Sequence, residues 1–163
     1  MKTKGDCMIK AGLHQARAEL RFAFMSTVGA LTVGLLLLAP AQRAYDDHVR
    51  PRPFITALVE IVPRAGDRPD VRYLAQASTK VSGSWSAWVD VDGRRGCGGA
   101  GTSGYAPTTA SPRLWLWEDW LGRDCPMPNR PFALCVRYAV QTPAGVGDLA
   151  GPFCSAIFDP RGN

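Results

Sequence analysis

Residues 132–142, "FALCVRYAVQT", alternate between large apolar side chains and other residues for the length of a strand. With a period of two, Phe132, Leu134, Val136, Tyr138 and Val140 share one face, and Cys135 and Arg137 point to the other. A second run, "GPFCSAIF" (151–158), places Phe153 and Ile157 on one face and Cys154 opposite. Between the runs, "TPAGVGD" is a turn centred near Gly145. Folding the chain there sets Cys135 roughly opposite Cys154, with both sulfurs on the face away from the apolar side chains. A cross-strand bond is then geometrically feasible.

Shorter runs of the same kind occur upstream. "ITALVEIV" (55–62) is rich in β-branched residues and predicts a strand. "PRAGDRPD" (63–70) is a turn cluster, and "VRYLAQAST" (71–79) predicts a second strand. "GSWSAWVDVDG" (83–93) holds a third, with Trp88, Val89 and Val91, and ends on an Asp92-Gly93 turn signal. "GRRGCGGAGTSGY" (93–105) reads as a flexible surface loop tethered by Cys97. "RLWLWEDWL" (113–121) reads as a further strand, with Trp115 and Trp117 on one face and Leu114, Leu116 and Trp120 on the other. No run after Gln42 has the pattern of a long amphipathic helix. The expected fold is mainly β, a single disulfide-bonded sandwich over 55–163 preceded by one N-terminal hydrophobic helix. "YDDHVRPRPF" (45–54) is polar and carries two prolines, so 43–54 reads as a linker.

The helix comes from residues 22–42, "FAFMSTVGALTVGLLLLAPAQ", which carry no charge for 21 residues. That length can cross about 30 Å of hydrocarbon. Five cations precede it against Asp6 and Glu19, which predicts a cytoplasmic tail over 1–21 and export of the rest to the cell envelope. Ala39-Pro40-Ala41 has the small-x-small form of a cleavage site, whereas the leader of 21 residues is long for a signal peptide. Signal peptide and retained single-pass anchor both remain open.

Charge supports this division. The chain of 163 residues has a net charge of +5, yet from Tyr45 onward 13 basic and 12 acidic side chains nearly cancel. The folded part therefore lacks the cation excess of a nucleic-acid binder. Five cysteines are present, and Cys7 lies in the tail. The other four, Cys97, Cys125, Cys135 and Cys154, fit two disulfides in an oxidising compartment. The hairpin geometry favours 135–154 with 97–125 among the three possible pairings. No pair has the tight spacing of a zinc site.

The order of segments resembles a fibronectin type III domain over about residues 55–158. "VRYLAQASTKVSGSWSAWVDV" is similar to a strand followed by that family's Trp-bearing strand and turn, and "PFALCVRYAVQTPAGVGDLAGPF" to its last hairpin. The chain departs from the pattern in three places. "ITALVEIVP" lacks the usual Trp, Phe132 stands where a corner Tyr would donate, and 93–131 is a longer, cysteine-bearing excursion. The resemblance implies an immunoglobulin-like sandwich used for binding or spacing, and carries over no catalytic residue. "SWSAWVDVDGRRGCGG" has the W-x-x-W spacing of a thrombospondin type 1 repeat, but that module needs six cysteines, and one is nearby.

Candidate chemistry is sparse. The two histidines, His14 and His48, lie outside 55–163, so a His-based nucleophilic or metal site inside the sandwich is excluded. Most carboxylates flank Gly or Pro as turn residues; Asp90, Asp92, Glu118 and Asp119 remain as a candidate hydrolase set. "DVDG" (90–93) opens like a calcium loop, but Gly101 stands where the twelfth-position Glu belongs. The expectation is a non-enzymatic binding or accessory module without cofactor or metal, engaging a protein partner or membrane complex. Residues 22–41 are the membrane contact if retained. Its candidate contact residues are Trp115, Trp117 and Trp120, as exposed aromatics often mark contact sites. Burial of the same tryptophans in the core is the competing reading. A glycan-binding module is the alternative function, and a carboxylate-dependent hydrolase a further one.

Overall fold

A computed structural model describes residues 32–64, 68–107 and 111–161. The chain divides into two compact units, Met1–Ala44 and Tyr45–Asn163. Helix α1 covers 32–48. Val33 and Leu35 to Leu38 are exposed along it. Among the described residues no helix is long and apolar enough to cross a membrane. The tail 1–21 and the first ten residues of the uncharged run lie outside the described residues.

The second unit is mainly β, with two antiparallel sheets. One has the order β1-β2-β5 and the other β4-β3-β6-β7. The strands are β1 (Ile55–Val62), β2 (Asp70–Ala77), β3 (Val81–Val91), β4 (Arg94–Tyr105), β5 (Arg113–Trp115), β6 (Ala133–Gln141) and β7 (Gly147–Cys154), with a short helix α2 (Trp117–Leu121) after β5. β1 matches its expected span, and Ile55 and Val59 turn inward while Thr56, Leu58 and Glu60 face out. Phe132, Leu134, Val136, Tyr138 and Val140 are all buried, as the alternation predicts. They meet Phe54, Ile55, Val59 and Val71 from the smaller sheet in one sandwich-like core. Burying each large apolar side chain stabilises the fold by roughly 1.5–3 kcal/mol.

Both predicted hairpin turns form. Asp92 and Gly93 have φ of 53° and 74°, a two-residue connection between Val91 and Arg94, and Gly93 N–H donates to Asp90 Oδ1 at 3.0 Å. Gly145 has φ of 79°, and its N–H donates to the Thr142 carbonyl. In the second hairpin Cys135 pairs directly with Cys154. The disulfides are Cys135–Cys154 and Cys97–Cys125, with Cα atoms 4.0 Å and 5.4 Å apart.

The structure corrects four expectations. Residues 94–105 are not a loop; they form the twelve-residue β4, paired with β3. Its glycines suit that pairing, since a Cβ at Gly98 would stand 2.0 Å from the Ala87 carbonyl oxygen. Residues 113–121 are not one strand. β5 stops at Trp115, and Trp117, Trp120 and Leu121 then bury on one side of α2 while Glu118 and Asp119 sit in its first turn. That spacing of three and four is helical, and the acidic first turn favours the helix N-terminus. Residues 43–54 are not a linker, because α1 runs to 48 and both Asp46 and Phe54 are buried. The last strand lies earlier than expected, at Gly147–Cys154, with a register shift between Val136 and Tyr138. Ile157 therefore falls beyond the strand and is exposed, and Phe158 instead bridges to Phe132.

Candidate functional site

An aromatic cleft of about 430 Å³ opens where the edge of the smaller sheet faces β3 and β4. β2 contributes Tyr73, β3 Trp85, β4 Gly101 to Tyr105, β5 Arg113 and Trp115, and α2 Trp120. Strand register explains why these side chains meet. Tyr73 sits two positions from buried Val71 on the inward face of β2 and pairs with Arg113; Val71 pairs with Trp115. Across the sandwich, Trp85 pairs with Tyr138 on one side and Gly101 on the other. With no side chain at Gly101, the indole of Trp85 remains open there; a Cβ would already approach it to 3.0 Å.

Tyr73 and Tyr105 form the floor, and Tyr138 is fully buried against them. The Tyr73 and Tyr138 hydroxyls hydrogen-bond each other. The Tyr105 ring meets Tyr138 edge-on at 5.8 Å, and Tyr73 lies 5.9 Å from Trp120. Burial raises the phenol pKa of all three above the ordinary value. The floor is therefore neutral at physiological pH. It offers no phenolate nucleophile and no general base. The described lining holds one cation, Arg113, and no carboxylate. Such a site can stack flat apolar groups and donate hydrogen bonds.

The candidate tryptophans separate. Trp115 is 36% exposed at the cleft mouth. Trp120 is 3% exposed and forms part of the wall. Trp117 is 1% exposed and belongs to the core. Its indole N–H donates to the Cys125 carbonyl at 2.8 Å and its ring meets Phe132 edge-on at 5.7 Å. The three therefore form no exposed aromatic face. Tyr73, Trp85 and Tyr105 were not among the candidates. The alternation through "VRYLA" already turned Tyr73 inward with Val71 and Ala75, but the pairing of Trp85 with Gly101 needed β4 to be a strand.

The candidate carboxylates are committed elsewhere or exposed. Asp90 caps the β3–β4 turn, Asp92 lies 3.4 Å from Arg130, and Glu118 and Asp119 are exposed on α2. Among the described residues no group of three or more His, Cys, Asp or Glu side chains is placed to hold a metal ion. The comparisons find no matching family model, curated protein or solved structure.

Proposed function

We propose that this chain is a non-enzymatic binding or accessory module of the cell envelope, exported by its apolar N-terminal segment, and that it engages its partner through the aromatic cleft. The carrying observation is the cleft itself: three indoles and the neutral phenols of Tyr73 and Tyr105, with no carboxylate in the described lining. Rings in this arrangement supply contact area at small entropic cost. The exposed leucines of α1 support a signal or anchor role for 22–42. Two disulfides support an oxidising compartment. Among the described residues, seven strands in sheets of three and four, with the last hairpin on the larger sheet, support an immunoglobulin or fibronectin type III-like sandwich.

The test is recovery of the full-length chain from its own membranes in mild detergent, as wild type and as Trp115→Ala. Trp115 is exposed on a three-residue edge strand, so the variant should fold with an unfolding midpoint near that of wild type. The expected result is a folded variant that has lost the partner. A folded variant that retains every partner would show that the cleft is not the contact site.

A further inference from the structure

We infer that the chain carries a second binding site, a cavity at the β3–β4 turn that takes a phosphate monoester. The cavity shares no lining residue with the aromatic cleft. Its volume is about 520 Å³, and it is lined by Val91, Asp92, Arg94, Arg95, Gly96 and Arg130. Strand pairing passes there from Trp88–Gly98 to Asp90–Arg95, so β4 has one residue more than β3. Such a bulge re-aims the side chains beside it. The Arg95 guanidinium lies 4.4 Å from the centroid of the Trp88 ring, and that of Arg137 lies 6.0 Å from the same centroid. Trp88 is 6% exposed yet stands outside the apolar core, so these two arginines help to cover it. Arg95 is thereby held in place before any ligand arrives.

Charge selects the ligand. Among the described residues Arg94, Arg95 and Arg137 make no ion pair, and Arg130 meets Asp92 at 3.4 Å. The lining holds three guanidiniums against one carboxylate, a net charge of +2. Of the 13 basic and 12 acidic side chains from Tyr45 onward, ten and eleven lie elsewhere, so the cation excess is local. A charge acts over about 8 Å at physiological salt, and the excess is therefore felt across the cavity whichever way each guanidinium points. A carboxylate, a phosphodiester or a sulfate ester brings one negative charge and leaves the other cation unmatched. A phosphate monoester carries about −1.5 to −2 on one group, with three strong acceptor oxygens. Guanidinium forks bind such oxygens two at a time. The volume is in the range that holds the phosphate with part of the molecule that bears it.

The experiment is calorimetric titration of the full-length chain in mild detergent, at fixed pH and ionic strength, with glycerol phosphate, inorganic phosphate and acetate. Glycerol phosphate should bind saturably and at least as tightly as inorganic phosphate, and acetate at least about tenfold more weakly. Arg94 is exposed beside the turn and takes no part in the Arg95–Trp88 stack, so Arg94→Gln should fold and weaken glycerol phosphate by about tenfold. Asp92→Asn removes the one carboxylate of the lining and should tighten it by about threefold, the effect of a single exposed charge. Asparagine accepts the φ of 53° at that position. Absence of saturable heat with glycerol phosphate would overturn the inference, as would acetate binding just as tightly. Binding of inorganic phosphate alone would make the free ion the ligand and remove the monoester. Folded Arg94→Gln or Asp92→Asn with wild-type affinity would show that the phosphate sits elsewhere.

Discussion

The two disulfides close loops of similar size and hold very different structure. Cys135–Cys154 joins adjacent strands that the β6–β7 ladder already pairs along most of their length. Cys97–Cys125 joins β4 to the segment just after α2, across the excursion that builds one wall of the cleft. The sequence separations are 19 and 28 residues. Chain entropy gives roughly 3–3.5 kcal/mol for either bond, because the dependence on loop length is logarithmic. What differs is redundancy in the folded state. The hairpin has a ladder, a turn and an alternating apolar face. α2 has five residues, too few to stand alone, and depends on its buried tryptophans and the bond beyond it.

That contrast predicts the largest effects. Cys135→Ser with Cys154→Ser should lower unfolding stability by about 3 kcal/mol while the ligand affinity of the cleft stays near wild type. Cys97→Ser with Cys125→Ser should lower stability by a similar amount and also loosen Trp120 and the cleft wall. Urea unfolding measures the first quantity, and partner retention with Trp fluorescence the second. Equal loss of cleft function in both double variants would erase the distinction between the two regions.

The same two regions show how much of the fold was legible. The hairpin could be read because period-two alternation, a Gly-centred turn and paired cysteines agree with one another. The excursion offered conflicting signals. β4 has glycine at inward positions 99 and 101, so its strand pattern has no apolar beat, and its pairing comes from β3. The Trp120 carbonyl oxygen would lie 2.5 Å from a Cβ at Gly99, a close approach invisible without the tertiary structure. In "WLWEDWL", tryptophans at 115 and 117 suggest a strand, while 117, 120 and 121 suggest a helix. The second pattern prevails because Trp117 and Leu121 find buried space beneath the sheets. Of the candidate site, Trp115 and Trp120 were named from sequence; the partners that make it a cleft were not.

The tyrosine floor gives an intermediate effect and sharpens the comparison at the cleft's base. Tyr73→Phe removes a hydroxyl hydrogen-bonded to buried Tyr138 and should cost about 1–3 kcal/mol in urea unfolding. The pH dependence has a definite sign. Burial, followed by the neighbouring phenols, raises the native pKa of Tyr73, and burial raises that of Tyr138. Their stabilisation is therefore complete below the unfolded value of about 10 and is lost as pH rises above it, where the unfolded chain ionises first. Above that point wild type should lose stability more steeply than Tyr73→Phe, by about 1.4 kcal/mol per pH unit. Parallel alkaline profiles would show that Tyr73 is not held protonated in the fold.

The smallest effect tests whether β4 is a strand along its whole length. Gly98 is enforced by contact with the backbone of β3. Gly104 is different. It pairs with Ser82, and a Cβ built there meets nothing within 4 Å. Its φ is not positive, so an L side chain fits the backbone. Alanine at 104 should therefore restrict the unfolded chain without disturbing the folded one, and stabilise by about 0.4–1 kcal/mol. In a flexible loop the same change would do little, since the loop is free in both states. A rise in the urea midpoint for Gly104→Ala thus marks an ordered strand. No change would place the end of β4 with mobile surface segments, and a clear loss would mean that the backbone at 104 needs glycine after all.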